Sequence, residues 1–333
     1  MINWRGKYVL VAGGAGMIGS NMSKELLKRG ANVTIVDDLS SGSEQNIQGI
    51  KKDVMFYKRD LTDYENCYRS VYNQDAVFQF AADMGGIGYI TAIGAQIMFN
   101  NTAINHNMLT AAKKCKTPLF FFSSTACVYP NFKQTTTDLN MISLKESDAF
   151  PADPNEFYGW EKLYCEKLVE ASQRDYKMNI RVARFHNVYG EMYTAFDKQK
   201  GKAPCHLIMK AIKHPEPKMT IWGDGKAVRS FMYVDDCIEG VLRLMDSDYT
   251  NPINIGSDRA VTVDKLANII IKISGKKIDL VHELDKPQGV RGRNADLTLV
   301  KQVLNWQPKV SLEEGLAKVY HWAEQNYDKL ENI

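Results

Sequence analysis

Residues Val11-Ala-Gly-Gly-Ala-Gly-Met-Ile-Gly-Ser20 carry Gly13, Gly16 and Gly19 at a G-x-x-G-x-x-G spacing. An apolar run over 7–12 stands directly before them, and an amphipathic stretch over 17–29, closed by Gly30, directly after. Strand, glycine turn and helix in that order let backbone approach a pyrophosphate. The first amides of the helix, around Met17 and Ile18, then meet the phosphates with the positive end of its dipole. Two acids, Asp37 and Asp38, follow the second strand, where a carboxylate grips the hydroxyls of an adenosine ribose. No Arg or Lys follows them closely, which favours NAD over NADP. Asp60, with Leu61 beside it, follows the third strand and is placed to reach adenine; Ala81 and Ala82 follow the fourth and complete the cofactor set. The plain alternative is a glycine-rich turn with an acid cap at a strand end.

Outward from this loop the same alternation continues. Strands are expected at 32–36, 54–57, 76–80, 119–122 and 180–185, and helices at 62–72, 96–114 and 156–174. Short β-branched or aromatic runs between longer helices predict an α/β, Rossmann-type doubly wound parallel sheet covered on both faces. After about residue 190 segments shorten and prolines gather at Pro204, Pro215 and Pro217. Residues 1–190 therefore read as a dinucleotide-binding domain, with later returns of the chain near 225–255, and 191–333 as a smaller C-terminal α/β substrate domain.

The chain has 333 residues, 44% hydrophobic and 24% charged, which excludes a disordered, collagen-like or small disulfide-stapled protein. Its 42 basic and 39 acidic residues leave a charge of +3, with no basic run that calls for nucleic acid. The six cysteines are widely spaced with no C-x-x-C pair, so no metal site is expected and reduced thiols in the cytoplasm are the default. No secretory signal is read at the N-terminus. The most apolar long stretch, 76–99, holds Asp83 and several glycines, which speaks against a membrane span.

Tyr158 and Lys162 stand at i and i+4 at the start of a predicted helix, so hydroxyl and ammonium share one face. A tyrosine pKa of about 10 must fall to about 7 for general base work, which takes about 4 kcal/mol. The lysine cation and a nicotinamide ring are expected to supply it. Thr125, in the Ser123-Ser-Thr125 run after a strand, is the expected hydrogen-bond partner of the reacting oxygen. Cys127 lies two residues further on, and Lys202 sits in Lys200-Gly-Lys-Ala-Pro204. A thiol with a reference pKa of about 8.5 and an amine can exchange protons on opposite faces of a ring. The plain alternatives are a small buried hydrophobe for Cys127 and a solvated loop cation for Lys202.

The glycine loop and the Tyr/Lys pair resemble the extended short-chain dehydrogenase/reductase superfamily, with Ala12 where a threonine is frequent. Ala81-Ala-Asp-Met-Gly-Gly-Ile87, Ser124-Thr-Ala-Cys-Val-Tyr-Pro130, Arg184-Phe-His-Asn-Val-Tyr-Gly190, Gly201-Lys-Ala-Pro204 and Val290-Arg-Gly-Arg-Asn294 narrow this. With Trp222-Gly-Asp-Gly225 and Arg229-Ser-Phe231, they look like the GDP-mannose 3,5-epimerase family, over nearly the whole chain. That resemblance implies tightly held NAD and a GDP-sugar substrate. Tyr158, with Lys162 and Thr125, would support oxidation at C-4; Cys127 and Lys202 would exchange protons at C-5 and C-3 before re-reduction. Gly85, Gly86, Asn187, Arg229, Arg291 and Arg293 would hold the substrate, with a structural ion pair to Asp235 or Asp236 as the alternative for Arg229. A homodimer through the helices near 96–114 and 156–174 is also implied. Related enzymes act as 4-epimerases, C-4 dehydrogenases or 4,6-dehydratases, and a GDP-heptose is the alternative substrate. Dehydratases place an acidic pair where this chain has Ala126 and Cys127. A non-catalytic NAD sensor on the same fold has no need of the tyrosine, lysine and threonine.

Overall fold

A computed structural model describes residues 1–140, 143–196, 201–213, 218–286 and 289–331. Lys200, Pro215 and Pro217 lie outside the described residues.

The first strand, β1 (Tyr8–Ala12), is buried from Val9 to Ala12, as a strand covered on both faces must be. Its side chains alternate between two cores. Val9 and Val11 pack with Met22 and Leu26 of the helix α1 (Met17–Lys28) and with Val241 of the Val234–Met245 helix. Leu10 and Ala12 pack on the opposite face with Val71, Met108 and Val169, which belong to the Tyr64–Val71, Gly94–Cys115 and Glu156–Tyr176 helices.

β1 pairs in parallel with β2 (Asn32–Asp37) on one side and β4 (Ala76–Gln79) on the other. β3 (Met55–Lys58) lies beyond β2. Beyond β4 come β5 (Leu119–Thr125), then Ile180–Phe185, then Ile253–Ile255. All seven strands are parallel, and the order reverses at β1 and β4. In such a sheet the crevice outside the carboxyl ends at the reversal receives ligands. Gly13 and Ala81 stand at that crevice.

The remaining strands form smaller sheets. Ala260–Thr262, Val228–Ser230, Gly292–Ala295 and Ser143–Leu144 make one of four strands, and Lys218–Trp222 pairs with Asp279–Glu283. The chain crosses between layers more than once: Ser143–Leu144 joins the four-stranded sheet, and Ile253–Ile255 returns to the seven-stranded one. Asn254 pins the joint. It donates to the carbonyls of Leu144 (2.9 Å) and Asp296 (3.2 Å), while its Oδ1 accepts from the Tyr129 hydroxyl at 2.6 Å. His186 also contacts that oxygen at 3.0 Å, and complete burial pushes its pKa down to about 3, so the ring is neutral.

Candidate active site

Two glycines of the loop are required by space. Gly13 has φ +73°, and a Cβ there would lie 2.7 Å from the Ala81 nitrogen. A Cβ on Gly19 would lie 2.2 Å from the Gly13 oxygen, so only glycine lets α1 close against the loop. Gly16 caps α1 in extended geometry and offers no side-chain acceptor, which leaves the amides of Met17, Ile18 and Gly19 at an open, positive helix end. Asp37, at the end of β2, is buried. Its two carboxylate oxygens accept the Ala15 and Leu39 amides, each at 2.9 Å. Burial raises its pKa and those amides oppose the rise. Asp37 thus shapes the glycine loop, a task its place in the sequence did not show. Asp38 and Asp60 are exposed beside it and accept from the amide and hydroxyl of Ser40 and Thr62 respectively. Leu61 is buried, and Ala81 and Ala82 are half-buried across the crevice. An open helix end, a glycine floor without Cβ atoms and flanking carboxylates fit the diphosphate and ribose of NAD.

Thr125 ends β5, and its hydroxyl lies near enough to that of Tyr158 to oppose the rise of the phenol's pKa. It also accepts the Cys127 amide at 3.2 Å, so one side chain joins the tyrosine to the thiol's turn. Tyr158 and Lys162 are buried on the Glu156–Tyr176 helix. Gly159 between them permits a close approach: a Cβ there would lie 2.2 Å from the Cys127 carbonyl oxygen. Lys162 donates to the Ser123 carbonyl at 3.0 Å, and its Nζ is 5.9 Å from the centre of the Tyr158 ring. Lys162 and a nicotinamide ring are the two cations expected to lower the Tyr158 pKa, and they act against the surrounding protein. Burial, then the charges of Cys127 and Glu161, hold the tyrosine's pKa well above the ordinary value, and only the Thr125 bond opposes them. Below β5 the floor is braced by a buried ion pair, Arg184 Nη2 to Glu166 Oε2 at 2.7 Å, with Ser124 donating to the same carboxylate.

Cys127 lies in the Ala126–Val128 turn, and its sulfur accepts a hydrogen bond from Arg293 Nη1 at 3.2 Å. Burial alone would push the thiol up. The Arg293 charge, the bonds to Thr125 and Arg293, and Lys202 outweigh it and hold the pKa below the ordinary value. Lys202 precedes the Ala203–Lys213 helix, within electrostatic range of Cys127. Water reaches it, yet surrounding protein lowers its pKa against the opposing charges of Cys127 and Cys205, as for a side chain projecting into a cleft. Thiol and amine thus feel each other's charge, and Cys127, half-buried and bonded to Arg293, is not plain core.

Arg229 and Arg293 are register partners on adjacent strands. Arg229 donates to the carbonyls of Val228 (2.7 Å) and Val290 (2.6 Å). Burial and the like charges of Arg293 and Arg291 bring its pKa down to about 9. The ion pair with Asp235 or Asp236 is not formed: the two Asp236 oxygens accept the Lys309 and Val310 amides, and Arg229 bonds main chain. A half-buried cation that has no carboxylate partner among the described residues suits an anionic ligand. Arg291 is held by both oxygens of Asp224, at 3.0 and 2.8 Å, and Asn187 donates to the Ser230 carbonyl at 3.0 Å. Gly85 lies under the Tyr89 ring, and Gly86 caps the Ile87–Ala92 helix. Sequence reasoning missed Asp83, which accepts from Tyr89 (2.7 Å) and fixes this loop with Asn101, and it missed Gln134, whose Oε1 accepts from Arg293 Nε at 2.5 Å. Asp83 lies within Ala81–Ile87, where the paired glycines drew the reading, and Gln134 lies in no motif with a distinctive spacing. Among the described residues no cluster of His, Cys, Asp and Glu could hold a metal, and no helix is long and apolar enough to cross a membrane.

Residues 9–256 match the sequence profile of the NAD dependent epimerase/dehydratase family. GDP-mannose 3,5-epimerase 1 of Oryza sativa subsp. indica is 40% identical over 324 residues, 96% of this chain and 82% of that protein. UDP-glucose 4-epimerase from Thermotoga maritima, solved with UDP-glucose, superposes with a TM-score of 0.86 at 28% identity, covering 96% of this chain and 99% of that one. UDP-glucuronic acid 4-epimerase from Bacillus cereus, solved with UDP-glucuronic acid and NAD, gives 0.82 at 26% identity, covering 96% and 100%.

Proposed function

The chain belongs to the NAD dependent epimerase/dehydratase family, and on that premise we propose that it is a GDP-hexose epimerase acting on GDP-mannose at C-3 and C-5. The observation that carries this reading is the Cys127 sulfur, held by Arg293 in the turn that Thr125 fixes and within electrostatic range of Lys202. Change at C-4 alone needs no such thiol.

NAD supplies reversible two-electron oxidation of the sugar at C-4, and the Gly13–Gly19 loop, Asp37, Asp38 and Asp60 hold it. Tyr158 accepts the C-4 hydroxyl proton while Thr125 hydrogen-bonds the same oxygen. Once a carbonyl stands at C-4, the hydrogens at C-3 and C-5 become acidic. Cys127, as thiolate, removes a proton from one face of the ring, and Lys202, as ammonium, delivers one to the other. Exchange with water then returns the proton from the Cys127 thiol to the Lys202 amine, and the reset pair serves the other carbon in the same way. Arg229 and Arg291 meet the diphosphate, with Asn187, Gly85 and Gly86 lining the sugar; Arg293 spans thiol and substrate. Tyr158 then returns its proton as the C-4 alcohol re-forms.

We assign the protein to the cytoplasm on its widely spaced cysteines, and to a homodimer. The Gly94–Cys115 and Glu156–Tyr176 helices expose Phe99 (77%), Trp160 (43%) and Tyr164 (52%), a large apolar area for a surface. Incubation with GDP-mannose in deuterated water tests the reaction. Label at C-3 and C-5 is expected; unlabelled sugar from protein that binds NAD would reject both substrate and chemistry.

A further inference from the structure

Gln134 is buried and uses both ends of its amide. Its Nε2 donates to the carbonyls of Tyr129 (2.9 Å) and Pro130 (3.2 Å), the turn that follows Cys127. Its Oε1 accepts from Arg293 Nε, and Arg293 Nη1 reaches the Cys127 sulfur. Its main-chain oxygen accepts the amides of Arg291 (2.9 Å) and Gly292 (3.2 Å), fixing the start of the strand that carries Arg293.

We propose that Gln134 is the positioning residue that holds the Arg293 guanidinium against the Cys127 sulfur, and so sets how much of that thiol is the proton-accepting thiolate. One residue registers the segment bearing the thiol with the strand bearing the cation, which come from different sheets. An arginine without an Oε1 acceptor is free to turn toward solvent or toward a substrate phosphate. A guanidinium near a thiol favours the thiolate only while it stays near. Gln134 touches no reacting atom and acts through Arg293. This role rests on the epimerase reading for its use in catalysis, but the thiol's ionisation is independent of any substrate.

The test measures the pH dependence of Cys127 alkylation by iodoacetamide in the NAD-loaded full chain, read on the Cys127 peptide by mass spectrometry. In Gln134→Met the midpoint is expected to rise by about one pH unit, a roughly tenfold lower thiolate fraction at neutral pH. Gln134→Glu keeps an acceptor for Arg293 but neutralises its charge, and the midpoint is expected to rise there too. With GDP-mannose, isotope exchange at C-3 and C-5 should fall by a similar factor while C-4 oxidation, read from reduced nicotinamide, stays as in the parent. An unchanged midpoint in either folded, NAD-binding variant overturns the proposal. A raised midpoint in a protein whose parent exchanges no label upholds the role of Gln134 and rejects the epimerase reading instead.

Discussion

Lys162 Nζ donates to the Ser123 carbonyl at 3.0 Å and lies 5.9 Å from the centre of the Tyr158 ring. The lysine is thus anchored to β5, and in the proposed mechanism its charge favours the phenolate of Tyr158 through space. Burial has already raised the tyrosine's pKa, so every cation near its oxygen counts. In Lys162→Met the phenolate becomes harder to form. The rising limb of the pH profile for C-4 oxidation should move to higher pH, and the rate near neutrality should fall by about 10²–10⁴-fold. Stopped-flow absorbance of reduced nicotinamide across pH measures both. A limb at its original position would mean that Lys162 does no more than hold NAD.

Cys127→Ala separates the two halves of the chemistry. In the proposed mechanism the sulfur supports proton exchange at C-3 and C-5 but no step at C-4. The variant should still reduce bound NAD on adding GDP-mannose, while isotope uptake from deuterated water disappears. Exchange at the parent rate would remove the thiol from the mechanism.

Gly19→Ala places a carbon 2.2 Å from the Gly13 oxygen, a contact the backbone cannot relieve without moving α1 or the loop. The expected loss is about 1–3 kcal/mol of stability, with NAD affinity falling further because the helix amides shift. Gly49→Ala is the control, since nothing lies within 4 Å of a carbon added there. Denaturant unfolding and NAD titration of both variants measure the difference. Equal behaviour of the two would show that the loop tolerates the side chain.

Phe99→Asp places a charge on the exposed face of the Gly94–Cys115 helix. If that face pairs two copies, sedimentation should show a monomer where the parent gives a dimer. A parent that sediments as a monomer, or a variant that remains dimeric, would move the interface elsewhere or abolish it.

Much of the fold was legible because parallel strands leave a strong local signature. β1 and Leu119–Phe122 of β5 are continuous apolar runs, and α1 and the Glu156–Tyr176 helix carry helical periodicity over three turns or more. Observed bounds fall within a few residues of the expected ones: 32–36 is Asn32–Asp37, 96–114 is Gly94–Cys115, and 119–122 extends to Leu119–Thr125. Ser143–Leu144 was not legible, since two residues have no period. The glycine loop and the Tyr158–Lys162 pair were legible because their chemistry depends on fixed local spacing. Gln134, Asp83 and the anchoring of Lys162 depend on neighbours distant in the chain, and no spacing announces them.

The order of residues alone determined the parallel sheet, the dinucleotide loop and which side chains are candidates for the chemistry, because each is specified over a few consecutive residues by period, backbone freedom or functional group. Tertiary structure alone decided which groups meet and in what ionic state. Cys127 and Arg293 are 166 positions apart, yet their side chains touch at 3.2 Å. Ionisation in a buried site follows from the charges and dipoles around a group, and those are set by packing between distant segments rather than by neighbours in sequence.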